Sequence, residues 1–215
     1  MQMQSRIDSI FNRRAFDRPL FYSFTGGLRF ELSEGGAPLD QVLTALRKAN
    51  AICEDIFSGA ELITVCLRNY VWSNQFAFRN CLRELRLAGI SIGLDRSICL
   101  STLPCPAGIK DGSDETYVTV AFELPKTRLQ NILWCAFSGD FPSLRPNPQC
   151  QIYLFNMDRC VIAHPYDDRG MDVVGLDKDL LQELYIRHNA LLLDYDRAAM
   201  DATFKSDNLG GEQRL

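Results

Sequence analysis

Two short segments near the carboxyl end concentrate the residue types that do chemistry. Tyr166-Asp167-Asp168-Arg169-Gly170-Met171-Asp172 packs three carboxylates and an arginine into one stretch. Leu193-Asp194-Tyr195-Asp196-Arg197 repeats the theme of aspartate beside arginine. Brought within a few ångströms of one another, Asp167, Asp168, Asp172, Asp194 and Asp196 would supply the hard oxygen ligands that a divalent cation needs for hydrolysis or phosphoryl chemistry. Strand alternation works against that, because it sends successive carboxylates to opposite faces. The plainer reading is a charged turn, with Gly170 at positive φ and Arg169 paired to a neighbouring carboxylate. Asp194 or Asp196 would then cap a helix. A third reading is an anionic surface that docks a basic partner.

The remaining catalytic inventory is thin. The chain has two histidines, His164 and His188. His164 falls at a predicted strand end, and His188 on the apolar stripe of a predicted helix, where a packed and satisfied ring is expected. There is no GxSxG, HExxH, P-loop or GxGxxG. The eight cysteines lie largely in apolar periodic segments, without CxxC or zinc spacing, and read as buried free thiols. No cofactor and no metal are implied. Trp72 and Trp134 are candidate aromatic anchors, though a core position is the more common use.

Composition narrows the class. With 215 residues, 47% apolar and 23% charged, the chain suits one globular domain. A formal net charge of -4 lacks the basic stripe that nucleic acid demands. The amino-terminal stretch is interrupted by Arg6, Asp8, Arg13 and Arg14, so it does not read as a signal peptide. No segment approaches the roughly 20 apolar residues of a membrane span. A cytoplasmic location is the expectation.

The elements that must position these residues follow from periodicity. A short helix is predicted over 4–16. Leu20–Phe24 and Leu28–Leu32 flank Thr25-Gly26-Gly27 and read as a hairpin, with Arg29 and Glu31 on its solvent face. A long amphipathic helix runs from Leu39 to Phe57, and Glu61–Leu67 reads as a central strand. Ser73 is placed as the cap of a helix to Ala88. Short strands are expected at Ile90–Leu94 and Ser97–Ser101, a loop over 104–114, and a strand at Tyr117–Leu124. A helix follows to Phe137. A meander is predicted over 151–156, 160–164 and 171–174, then a helix capped by Asp177 and another carrying Tyr195, Ala199 and Phe204. The fold class is α+β: a mainly antiparallel sheet with an N-terminal hairpin, central strands and a C-terminal meander, packed by about five helices. One domain covers 1–204, and 205–215 is a polar tail.

Several of these blocks resemble the bacterial family called domain of unknown function 3885. They are Leu20-Phe21-Tyr22, then Gly27-Leu28-Arg29-Phe30-Glu31-Leu32, then the segment from Tyr166 to Asp172, followed by Tyr185, Asn189 and Leu193 to Arg197. The resemblance implies a bacterial single-domain protein and carries over no catalytic set. By analogy with small orphan domains of that kind, the expected function is an intracellular protein-binding module, such as an immunity protein that neutralises a basic toxin domain. Arg29, Glu31, Asp167, Asp168, Arg169, Asp172, Asp194, Asp196 and Arg197 are the expected partner contacts. The alternative is a metal-dependent hydrolase built on the clustered aspartates. A homo-oligomeric structural role is a third.

Overall fold

In the computed structural model, residues 3–70, 76–103 and 115–205 are described. They build one sheet of seven strands with helices on both faces. The strands are β1 (Leu28–Glu31), β2 (Leu62–Tyr70), β3 (Arg96–Leu103), β4 (Glu115–Pro125), β5 (Gln151–Asn156), β6 (Val161–Asp167) and β7 (Gly170–Gly175). Their order is β1-β7-β6-β5-β2-β4-β3, and every neighbouring pair is antiparallel. The predicted α+β class holds, and so does the meander, which is the run β5-β6-β7.

The apolar run from Ile63 to Leu67 is buried on both alternating faces because β2 lies inside the sheet, between β5 and β4. Helices α3 (Pro38–Ile56), α5 (Leu129–Phe137) and α6 (Lys178–Arg187) cover one face. There Val65, Val120, Ile152 and Val173 pack on Val42, Ile52, Ile132 and Leu181. Helix α1 (Met3–Ile10) crosses the opposite face over β3 and β4. A second core forms beneath the amino-terminal segment, from Ile7, Phe11 and Leu20 against Tyr153, Phe155 and Val174. Helix α4 (Phe76–Leu87) and helix α7 (Arg197–Phe204) complete the elements, with Tyr185 stacked on Phe204. Asp177 caps α6 as expected, accepting from the Leu180 amide at 2.9 Å.

Three local expectations are corrected. The predicted hairpin does not form. Leu20–Ser23 is a helical turn, α2, which buries Leu20 and Phe21, and β1 pairs with β7 instead. The two glycines still serve a tight passage. Gly26 has φ +73°, and a Cβ on Gly27 would come within 2.8 Å of Val174 Cγ1. Ile90–Leu94 is not a strand: Ile90 is buried, but Leu94 is 95% exposed. Gly170 is not at positive φ; it is needed because the Tyr166 phenol lies against its Cα. Ser73, Trp72, Cys105, the 104–114 loop and the tail beyond 205 lie outside the described residues.

The two sheet edges differ. The outer edge of β1 is covered, since Leu193 N donates to Arg29 O at 2.9 Å and Phe30 bridges to Leu192. At the other end, among the described residues, no strand pairs with the outer edge of β3.

Candidate functional site

Residues opposed in antiparallel register point to the same face, so the pairing places side chains in rows. One row crosses the whole sheet on the face beneath the amino-terminal segment. Arg29 opposes Asp172, and Asp172 opposes His164. The His164 ring stacks on Tyr153 at 4.0 Å. Tyr153 opposes Cys66, Cys66 opposes Ala121, and Ala121 opposes Ser97. The half of the row from Arg29 to Tyr153 is polar, although this face is also a core.

Arg29 ties its end of the row together. Its Nε donates to Asp172 Oδ1 at 2.7 Å and its Nη2 to Asp172 Oδ2 at 3.2 Å. Nη1 donates to Asp196 Oδ2 at 3.0 Å. Asp172 Oδ2 also accepts from the Phe21 amide at 3.0 Å, and Asp196 Oδ1 accepts from the Tyr22 hydroxyl at 2.8 Å. The guanidinium lies over the rings of Phe21 and Tyr22, each at 5.0 Å. Burial opposes its charge, but the hydrogen bonds and charge of Asp172 outweigh that and hold it protonated. The knot therefore fastens α2 and the segment before α7 onto β1 and β7.

The expected partner contacts thus divide. Arg29, Asp172 and Asp196 converge, but on one another, and both carboxylates are buried rather than presented outward. Asp168 is buried too, accepting from Ser33 Oγ at 2.9 Å, and burial raises its pKa. Asp167 shapes the β6–β7 turn, taking the Arg169 amide at 2.9 Å and pairing with the exposed Arg169 guanidinium. Asp194 is exposed and Glu31 half-buried. Arg197 donates to Asn189 O at 2.8 Å. Among the described residues, no three acidic, histidine or cysteine side chains gather to hold a metal ion. His188 is satisfied by Asp55 at 2.7 Å, and Trp134 donates to Pro146 O at 3.0 Å. Seven described cysteines are free thiols, with Cys53, Cys66, Cys81 and Cys135 buried.

Beside the knot lies a cavity of 340 Å³, lined by Arg18, Pro19, Leu20, Arg29, His164 and Tyr166 together with Asp172. His164 is only 3% exposed. Its Nδ1 sits 3.0 Å from Ile152 O. A carbonyl only accepts, so Nδ1 carries the proton and Nε2 presents a lone pair. Burial lowers its pKa to about 4, which keeps the ring neutral. Among the described residues, no hydrogen-bond partner answers Nε2.

A second cavity, of 640 Å³, adjoins it through Arg18. Its wall includes Arg68, which opposes Thr119 and Gln151 in the sheet. Arg68 is 5% exposed, donates through Nη1 to Phe16 O at 3.2 Å, and lies 4.0 Å over the Tyr117 ring. Its Nε has no hydrogen-bond partner among the described residues. Sequence reading missed this residue because it ended the strand at Leu67. An arginine continuing a strand buried on both faces was the available signal. Arg18 was missed as well, since nothing local marks a residue that two cavities share.

The family model described as Domain of unknown function (DUF3885) matches residues 3–196. No curated protein and no solved structure matches the chain. No helix among the described residues is long and apolar enough to cross a membrane.

Proposed function

This chain belongs to the DUF3885 family, and from the geometry of its own cleft we propose that it is a binding protein whose small polar ligand lies between the amino-terminal segment and the sheet. One observation carries the reading. Two buried polar groups on this face, His164 Nε2 and Arg68 Nε, have no hydrogen-bond partner among the described residues, and their residues line adjoining cavities. Burying such a group unpaired costs on the order of 1–3 kcal/mol, a cost that a ligand offering the complementary group removes. Of the carboxylates that a metal-dependent hydrolase would turn toward an ion, Asp172 and Asp196 are instead engaged by Arg29, Phe21 and Tyr22.

The test is a thermal-shift screen of small polar metabolites on the full chain, repeated on Arg18→Ala. A ligand at about 100 times its dissociation constant adds roughly 2.7 kcal/mol of stability. Compounds that raise the melting temperature of the parent and not of the variant support the reading. A screen in which no compound does so defeats it.

A second reading, docking of a protein such as the toxin domain that an immunity protein blocks, is favoured by the outer edge of β3, with which no strand pairs among the described residues. There Ile98 and Leu100 are 58% and 69% exposed, and unpaired strand edges accept added strands. Co-purification from a bacterial lysate that Ile98→Lys abolishes would support docking. Capture unchanged by that substitution would count against it.

A further inference from the structure

The larger cavity holds a cation that no carboxylate pairs with among the described residues. Arg68 is the most buried arginine on this face, and among the described residues no carboxylate lies within ion-pair distance of it. A guanidinium removed from water without an opposing charge is costly. Its faces are spoken for, with Tyr117 on its plane at 4.0 Å and Phe16 at 5.6 Å. Its Nη1 is held by the Phe16 carbonyl. The Tyr153 hydroxyl lies near the guanidinium, and the Nε edge, which makes no hydrogen bond among the described residues, is the one a guanidinium uses to grip an oxyanion.

Arg13 and Arg18 line the same cavity, with the hydroxyl residues Ser101 and Thr119. Both arginines are exposed at its rim. Asp8 and Asp17 also line it. Asp17 is paired with Arg14 at 3.5 Å, and Asp8 accepts from Gln4 at 2.9 Å. Arg14 offsets Asp17 while Asp8 keeps its charge beside the neutral Gln4, so, among the described residues, three arginines face this space against one uncompensated carboxylate. The balance asks for more than a single negative charge.

We infer that this cavity is an oxyanion site for a phosphate-bearing small molecule, with the phosphate seated on the Nε edge of Arg68 and flanked by Arg13 and Arg18. The inference rests on the cleft being the binding site and names the chemistry of its ligand. A phosphate monoester carries about two negative charges near neutral pH and several acceptor oxygens, which suits three cations and two hydroxyls. The remainder of the ligand would extend past Arg18 into the smaller cavity, where the neutral His164 offers an acceptor to a hydroxyl, amide or amine.

The experiment is a calorimetric titration of the full chain with inorganic phosphate and with acetate, at constant ionic strength set by chloride. Saturable phosphate binding at least tenfold tighter than acetate is expected, together with a tenfold or greater loss in Arg18→Ala. Arg18 makes no hydrogen bond among the described residues, so that variant should fold normally, and circular dichroism checks it. Arg68→Gln should lose binding as well; if it fails to fold, Arg13→Ala takes its place. Absence of saturable phosphate binding by folded parent protein, or equal binding by parent and Arg18→Ala, overturns the inference. Should metabolites without phosphate bind in the cleft while phosphate does not, the oxyanion site is refuted and the binding reading stands. When nothing binds at all, both are refuted.

Discussion

Arg29 and Asp172 face each other in the β1–β7 register and join through two parallel hydrogen bonds, at 2.7 and 3.2 Å, with side chains only 12% and 2% exposed. Two-point pairing of this kind fixes the orientation of both groups. Because Asp172 also holds the Phe21 amide, the pair sets where α2 sits and hence the wall of the smaller cavity.

Removing one side of that pair strands the other. Asp172→Ala should cost about 3–5 kcal/mol, the range for breaking a buried ion pair. Arg29→Lys should not restore stability, because an ammonium has no fork to match the carboxylate. Urea unfolding measures both. A loss under 1 kcal/mol for Asp172→Ala would show that the knot does not anchor α2.

His164 predicts a pH dependence. Its pKa in the folded chain is about 4, against an ordinary 6.5, because burial disfavours the charged ring. Below 6.5 the unfolded chain takes up a proton that the folded one refuses. Stability is therefore fully present above pH 6.5 and is lost as pH falls toward 4, by about 3 kcal/mol from this group alone. His164→Phe keeps the stack on Tyr153 but cannot titrate. Its stability should fall less over that window, and parallel curves for the two proteins would contradict the assignment.

The glycines at the ends of β7 differ in what they meet. A Cβ on Gly170 collides with the Tyr166 phenol, a side chain that can be trimmed. A Cβ on Gly175 meets backbone, including Val161 Cα at 2.8 Å. Both Gly→Ala changes should destabilise by about 1–3 kcal/mol. Adding Tyr166→Ala should offset much of the Gly170→Ala loss and none of the Gly175→Ala loss, a coupling that a double-mutant cycle reads directly.

The α6 cap is a local feature with a local effect. Asp177→Ala removes the acceptor for the Leu180 amide and the partner of Arg159. A cost of about 1 kcal/mol is expected, with Asp177→Asn retaining most of the cap. Thermal unfolding of the three proteins tests the order.

Much of the fold was legible because its signals are short-ranged. The double-sided apolar run at Ile63–Leu67 announced an interior strand, and Asp177 followed by Leu180, Leu181 and Leu184 announced a capped helix. The hairpin at Thr25-Gly26-Gly27 was misread for the same reason. Gly26 makes the turn that its type allows, but whether Leu20–Ser23 extends or coils depends on a carboxylate on β7 that captures the Phe21 amide. The aspartate segments were expected to present their charge outwards, yet Asp168, Asp172 and Asp196 are buried. Arg29 was named among the same expected contacts, on a solvent face, but its closure on Asp172 and Asp196 was not legible.

Alone, the order of residues determined the class of fold, most strand and helix positions and the family to which the chain belongs. These rest on periodicity and capping, which act over a few residues along the chain. Tertiary structure alone decided that Arg29 closes on Asp172, 143 residues away, and that His164 and Arg68 are sunk into one face, each with a polar atom unanswered among the described residues. Strand order sets those neighbours, and strand order emerges only when the whole core is buried at once.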